Sequence, residues 1–156
     1  MSDEALTEEQ MRERVIQLAF KGKPEQFQEF CSILREELPK NTGAVLRGSS
    51  ITGVRWNDGA PFDSEGPGTS DLDLTLIGDE VIGLYSADGF YIPLVHTKPL
   101  SDKDSDIAPA LVPLRQRLQA MVGRPVNIQA TRDFVTYVRE ELLGQPHLHL
   151  FEATDN

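Results

Sequence analysis

Apolar residues recur at helical spacing in three parts of the chain. A first helix is predicted to begin at Thr7, because Thr7 and Gln10 have the spacing of a capping box. A second helix is predicted between Pro24 and Leu38, with proline in its first turn and an aromatic stripe on one face. A third is predicted over 107–122, in which Pro113 implies either a kink or a later start.

Short apolar or alternating runs predict strands. The run 44–46 is apolar and partly β-branched, whereas 71–77 alternates carboxylate with aliphatic side chains. The run 125–130 also alternates, which places Asn127 and Gln129 on one face. An extended piece is expected over 91–95, and a terminal edge strand over 146–151.

The remaining segments fill the gaps between these elements. Glycine and proline make 51–69 a loop or weak hairpin, and its length is typical of a functional lid or a disordered segment. A short helix capped by Asp79 is favoured over 79–85, although Val81, Ile82 and Gly83 also permit a strand there. Another helix is predicted over 132–143. We therefore predict an α/β (α+β) fold: one domain over 1–156, with a small mixed sheet flanked by helices and two helices at its N-terminal end.

The charge of the chain limits its partners. Twenty-five acidic residues face 15 basic ones, giving a formal charge of -10, which disfavours a long nucleic acid. A local basic group is still possible, and its candidate members are Arg115, Arg117, Arg124 and Arg132; we favour their interpretation as a solvated helix face plus loop charges. Cys31 falls in a helical stripe and is expected in the core. With no apolar run long enough to span a bilayer, we expect a soluble, cytoplasmic protein without a membrane partner.

Candidate chemistry is concentrated in two motifs. Asp71 and Asp73 point from the same face of the predicted strand, an arrangement that suits a divalent metal. Upstream, Gly48, Ser49 and Ser50 form a small turn whose backbone N–H groups and hydroxyls can approach a phosphate. Together the motifs predict a metal–nucleotide site. A plainer alternative is that the aspartates only solvate a strand edge.

These two motifs resemble the signature of the nucleotidyltransferase superfamily typified by DNA polymerase β, in a minimal single-domain form covering about 44–143. The resemblance implies that Gly48, Ser49 and Ser50 hold a nucleoside triphosphate. It implies further that Asp71 and Asp73 bind Mg²⁺, and that a nucleoside monophosphate is transferred to a protein or small-molecule hydroxyl.

The chain departs from that pattern in three ways. The spacer between Ser49 and Asp71 is long. Arg55 is the basic side chain that follows the turn, and Arg47 lies just before it. Asn127 stands where the family has a third carboxylate, and an amide cannot take a proton at neutral pH. Asp63 or Glu65 could replace that acid. The alternative function is a catalytically inactive binding or interaction module with the same fold.

The sequence leaves two alternative roles open for Trp56 and for the histidine pair near the end of the chain. Trp56 could stack on a base or pin the long loop to the core. His147 and His149 share a face of the last predicted strand, where they could hold a metal or, as we favour, form a solvated or aromatic-packed pair.

Overall fold

The computed structural model describes residues 7–54, 59–137 and 146–151. Within these ranges the chain forms a six-stranded mixed sheet with helices. The strands are β1 (Gly43–Arg47), β2 (Leu72–Ile77), β3 (Phe90–Ile92), β4 (His96–Thr97), β5 (Val126–Thr131) and β6 (His147–Phe151). The helices are α1 (Glu8–Ala19), α2 (Pro24–Glu37), α3 (Ser49–Thr52), α4 (Asp79–Ile82), α5 (Val112–Val122) and α6, described over Phe134–Tyr137. Two short 3₁₀ helices cover Ala87–Gly89 and Pro109–Leu111.

The strand order is β3-β4-β5-β2-β1-β6. Strands β2 and β5 run parallel, and the other neighbouring pairs are antiparallel. The predicted α/β class with a mixed sheet and two N-terminal helices is therefore confirmed. The central strands β2, β5 and β1 carry Asp73, Asn127 and the residues before the Gly48 turn, and Asp71 directly precedes β2. The candidate site therefore lies in the middle of the sheet.

One core unites the helices with one face of the sheet. Leu46, Leu74 and Ile128 project into it from neighbouring strands and are almost fully buried. The helices α1, α2 and α5 supply the opposing side chains. Because strand side chains alternate, the residues between these aliphatic ones must point to the other face. The apolar core thus determines which side chains form the polar face described below.

The helical predictions hold closely. The Thr7 hydroxyl accepts from the Gln10 N–H at 3.1 Å and the Gln10 side chain returns a bond at 2.9 Å, so the capping box is formed. Helix α2 begins with Pro24, and α5 starts at Val112 with Pro113 in its first turn, which confirms the later start.

Three local predictions were wrong. The loop does not begin at Ile51, because α3 extends the chain helically to Thr52. Asp79 does not cap α4; the cap residue is Gly78, and Asp79 instead pairs with Arg132 at 3.1 Å. The segment 91–95 is not one extended piece, since β3 turns at 93–95 and returns as β4.

Cys31 lies at the margin of the core rather than inside it. Its thiol is partly buried, and that burial raises its pKa to about 11, so it stays protonated at neutral pH. Of the helix predicted over 132–143, the part beyond Tyr137 lies outside the described residues. No described helix has the length and apolar character needed to cross a membrane.

Candidate functional site

Four polar side chains form a row across the sheet. Arg47 pairs with His147 on one side and with Asp73 on the other, and Asp73 pairs with Asn127. Paired residues in a sheet project to the same side. The next row on this face consists of His149, Val45, Thr75 and Gln129. We call the surface made by these two rows the polar face.

The two aspartates meet at the Asn127 side chain. The Asn127 Nδ2 donates to Asp71 Oδ2 at 2.8 Å and to Asp73 Oδ1 at 3.2 Å. All three residues are partly buried. The register places Asn127 directly beside Asp73. Asp71 and Asp73, called the acid pair below, are therefore bridged by an amide.

The turn after β1 touches the acid pair. Gly48 has φ +91°, a conformation that L side chains rarely adopt. A Cβ at this position would lie 2.7 Å from Asp73 Oδ2, so only glycine lets the backbone pass so close to the carboxylate. The sequence-predicted turn and the sequence-predicted carboxylates are thus adjacent.

The two serines of the turn differ in exposure. Ser49 begins the short helix α3 and is partly exposed. Ser50 is fully buried, and its hydroxyl has no hydrogen-bond partner in the described part of the chain. In this conformation a ligand on the surface reaches Ser49 but not Ser50.

Arg47 supplies positive charge next to the acid pair. Burial raises the pKa of Asp73, and the nearby Arg47 guanidinium and the Asn127 hydrogen bond oppose that rise, while the Asp71 charge adds to it. The Arg47 Nη2 also lies 3.5 Å from Gln129 Oε1. Sequence reasoning noted Arg47 only as a neighbour of the turn. Arg47 is the direct cross-strand partner of Asp73, and this position makes it part of the site.

A buried cover closes one end of the polar face. The Tyr137 hydroxyl is 2.6 Å from Thr75 Oγ1, and both residues are fully buried. Gln129 donates to the Thr97 carbonyl at 2.9 Å. Burial raises the pKa of Tyr137, against the opposing effect of Arg47. These residues were not singled out from the sequence, although Thr75 and Gln129 follow Asp73 and Asn127 at the two-residue period of a strand.

The long loop is attached to the domain by an ion pair. Arg124 contacts Asp63 at 2.7 and 3.0 Å, donates to the Ser70 carbonyl at 2.9 Å, and stacks over the Phe62 ring at 4.5 Å. The bond from Arg124 lowers the pKa of Asp63 to about 2. Asp63 is therefore bound to Arg124 and does not serve as a third acid beside the acid pair. Glu65 is exposed on the same loop.

The other arginines of the predicted basic group also have acidic partners. Arg115 is buried, bonds the Val126 carbonyl at 2.7 Å and pairs with Asp102 at 3.0 Å. Arg117 pairs with Glu37 at 2.5 Å. The interpretation as solvated charges was wrong for Arg115 and Arg124, because both side chains are largely buried and each guanidinium bonds a backbone carbonyl.

Of the remaining predictions, one concerns the two histidines of β6 and the other concerns Arg55 and Trp56 in the long loop. His147 and His149 pack with their ring centroids 5.5 Å apart, and the Phe134 ring lies against both, so the aromatic-packed interpretation is confirmed. Arg55 and Trp56 lie outside the described residues.

The donor set of the acid pair fits a hard cation. Mg²⁺ takes few protein oxygens and keeps water or phosphate oxygens as its other ligands, so two neighbouring carboxylates could hold it. Within 7–54, 59–137 and 146–151, no group of three acidic, histidine or cysteine side chains could enclose a metal. A cation here would depend on the acid pair, on Asn127 and on the ligand itself.

Comparisons of the chain with protein-family models, with curated proteins and with solved structures found no match.

Proposed function

We propose that this protein binds a nucleoside triphosphate together with Mg²⁺ and transfers a nucleoside monophosphate to a protein or small-molecule hydroxyl. The acceptor oxygen bonds the α-phosphorus, the bond from that phosphorus to the β-phosphate breaks, and pyrophosphate leaves. The observation that carries the proposal is the close approach of the Gly48 backbone to Asp73. A Cβ added at Gly48 would lie only 2.7 Å from Asp73 Oδ2. A phosphate on the turn would lie beside the acid pair. Phosphoryl-type transfer depends mainly on such positioning and on neutralised charge.

Each residue of the site has a distinct part in this proposal. The backbone N–H groups after Gly48 and the Ser49 hydroxyl bind phosphate oxygens, and Asp71 and Asp73 hold the cation. Mg²⁺ bound there would neutralise charge on the phosphate oxygens. Arg47 limits the repulsion between Asp73 and an incoming polyanion, because its guanidinium lies next to that carboxylate.

The transfer step also needs a group that takes the proton of the acceptor hydroxyl. A third carboxylate would take the proton of an attacking hydroxyl, but Asn127 is an amide and Asp63 is committed to Arg124. This observation favours a second candidate function, a nucleotide-binding module without transfer activity. The net charge of -10 and the carboxylate partners of Arg115, Arg117, Arg124 and Arg132 support a protein or small-molecule acceptor rather than a long nucleic acid.

Thermal unfolding tests the binding step. The protein would be heated with each nucleoside triphosphate in the presence and absence of Mg²⁺. A ligand at about 100 times its Kd stabilises the folded state by about 2.7 kcal/mol, which is a readily measured increase in Tm. The D73N variant should lose the Mg²⁺-dependent part of the increase. The matched control is D79N, which makes the same substitution at an exposed aspartate outside the polar face.

A label-transfer assay then separates the two candidate functions. Triphosphate labelled at the α-phosphate is incubated with the protein, Mg²⁺ and a cell extract, and acceptors are sought in the protein and small-molecule fractions. Label in an acceptor, lost with D73N and kept with D79N, supports transfer. Stabilisation without labelled acceptor supports the binding module. Absence of stabilisation by every triphosphate would overturn both.

A further inference from the structure

Arg14 of helix α1 holds the end of α3, the short helix that follows the Gly48 turn. Its Nη1 donates to the Thr52 carbonyl at 2.7 Å and lies 3.5 Å from the Ile51 carbonyl. Carbonyls in the last turn of a helix have no partner within that helix, so a guanidinium that donates to them satisfies them. Arg14 precedes the segment 44–143 that resembles the nucleotidyltransferases, and the resemblance assigns it no role.

The position of α3 depends on contacts at both of its ends. The helix has four residues, and so short a helix is not stable by itself. At its start, the Gly48 backbone passes close to Asp73. At its end, Gly53 has φ +84°, and a Cβ there would lie 3.7 Å from both Cδ and Nη1 of Arg14. Because α3 is a single turn, a shift of its last carbonyls also shifts Ser49 at its first position.

Helix α1 also contacts the support of the acid pair. Leu18 lies one helical turn after Arg14, and its carbonyl accepts from Arg124 Nη2 at 3.4 Å. The same arginine donates to the Ser70 carbonyl, directly before Asp71. One helix therefore links α3 to the segment that carries the first carboxylate of the acid pair.

Helix α1 is itself firmly held and can serve as a fixed reference. Its first turn is closed by the capping box of Thr7 and Gln10. Its inner face is anchored in the core, where Val15 is fully buried and Met11 and Ala19 are nearly so. The apolar contacts of α1 thus fix the place from which the Arg14 side chain reaches α3.

We propose that Arg14 is a positioning residue of the candidate site. By holding the Thr52 carbonyl it fixes α3, and it thereby sets where the Ser49 N–H and hydroxyl lie relative to the acid pair. Arg14 acts through α3 rather than by contacting the phosphate. This inference rests on the proposed function, because the property that Arg14 controls is the affinity of the Gly48 turn for a triphosphate.

The surroundings of Arg14 make the residue suitable for substitution. Its side chain is partly exposed and borders a surface cavity of about 450 Å³, which is also lined by Gln10, Glu13, Gln17 and Leu18. A different side chain at this position therefore leaves space that water can fill, and no void forms in the core. R14M removes the guanidinium and keeps an apolar stem, and R14Q serves the same tests if R14M does not fold.

Amide hydrogen exchange of the intact protein without ligand tests whether Arg14 holds α3. The Gly53 N–H donates to the Ser49 carbonyl at 2.8 Å and reports whether the helix is closed. In R14M this amide should exchange roughly tenfold faster, because loss of a charge-assisted hydrogen bond lets the end of α3 open more often. R12M is the matched control, since Arg12 lies on the same helix and forms a surface pair with Glu8.

Calorimetry well below the unfolding temperature tests the consequence for binding. The probe is the nucleoside triphosphate that stabilises the wild type most, titrated in the presence of Mg²⁺. R14M should bind it roughly tenfold more weakly, which is the scale on which loss of a supporting partner weakens a site. R14K should restore most of the affinity, because a single nitrogen of Arg14 makes the contact and an ammonium can also donate there. R12M should bind like the wild type.

The outcomes separate this inference from the proposed function. If the wild type binds the triphosphate and folded R14M binds it equally well, the inference fails while the proposed function stands. The same conclusion follows if R14K binds no more tightly than R14M, or if Gly53 exchanges at the wild-type rate in R14M. If the wild type binds no triphosphate, the proposed function fails and the inference fails with it.

Discussion

Arg124 holds Asp63 through both of its terminal nitrogens, at 2.7 and 3.0 Å. The arginine lies just after α5 and the aspartate lies in the long loop before β2, so the pair joins two distant parts of the chain. The same guanidinium bonds the Ser70 carbonyl, one residue before Asp71. The loop is thus an anchored support for the acid pair.

Replacing Asp63 by Asn should weaken this support in a pH-dependent way. The pKa of Asp63 is lowered to about 2, so its contribution is present above the ordinary value and is lost as the pH falls toward 2. We expect D63N to lower the free energy of unfolding by roughly 1–2 kcal/mol at pH 7, allowing for partial exposure of the carboxylate. Urea unfolding at pH 7 and pH 3 measures the difference.

The difference between D63N and the wild type should be smaller at pH 3. D106N, at an exposed loop position, serves as the control and should change little at either pH. A loss that is the same at both pH values would mean that the Asp63 charge does not stabilise the fold.

Substituting Gly48 by Ala should damage both the turn and the acid pair. The residue has φ +91°, and the new Cβ would lie 2.7 Å from Asp73 Oδ2. With ψ at -159°, Gly48 lies in a region that is essentially restricted to glycine, and the backbone alone costs about 1–3 kcal/mol for a residue with a Cβ. Displacement of the carboxylate should add to this and should weaken any Mg²⁺-dependent stabilisation by a triphosphate.

Gly123 offers a matched control for this substitution. It has φ +70° and open space where its Cβ would be. G123A should therefore show only the backbone cost of the left-handed helical region, about 1–2 kcal/mol, in urea unfolding. If G48A and G123A lose equal stability and bind triphosphate equally, the close approach of Gly48 to Asp73 has no functional importance.

Replacing Arg47 by Met should destabilise the protein most at neutral pH. The variant removes the positive charge that opposes the effect of burial on the Asp73 carboxylate, and a buried charged group left less compensated costs about 1–3 kcal/mol. The pKa of Asp73 is already raised by burial, and loss of Arg47 raises it further. The carboxyl then takes up a proton as the pH falls. The loss of unfolding free energy in R47M should therefore be smaller at pH 5 than at pH 7.

Chemical unfolding at the two pH values tests this prediction. R117M is the comparison, because Arg117 forms an exposed pair with Glu37, which contributes about 0–1 kcal/mol at most. A deficit of R47M that grows on acidification would contradict the assigned role of Arg47.

The hydrogen bond between Thr75 and Tyr137 should appear as coupling in a double-mutant cycle. T75V and Y137F should each lower the free energy of unfolding by about 1 kcal/mol, because each variant deprives the remaining buried hydroxyl of this hydrogen bond. The double variant should lose less than the sum, by about 0.5–1 kcal/mol. Y91F, at an exposed tyrosine, is the control. Strict additivity would show that the bond is not stabilising.

Much of the fold could be predicted because it follows from local patterns. The capping box at Thr7, the proline at the start of α2 and the alternation around Asp73 each specify an element through nearby residues. The order of the strands was not predicted, since it depends on pairings between residues far apart in the chain. Asn127 was expected beside the aspartates from the resemblance, but the bridging bonds depend on the β2–β5 register.

The site residues that were missed are polar residues with long-range partners. Nothing near Arg124 in the sequence indicates Asp63, which is why that aspartate remained a candidate third acid until the ion pair was seen. Likewise, Tyr137 looks like an ordinary helix residue, and only the packing of α6 over β2 brings its hydroxyl to Thr75. Sequence patterns indicate which face a side chain takes, whereas tertiary pairing decides what it meets there.

The position of β1 between β2 and β6 has a consequence for biosynthesis. The row through Arg47 includes His147, so the polar face is incomplete until the segment that forms β6 has been made. A nascent chain that stops before it would leave β1 as an open edge next to the acid pair. Because such distant pairings form slowly, the site should be among the last parts of the protein to mature.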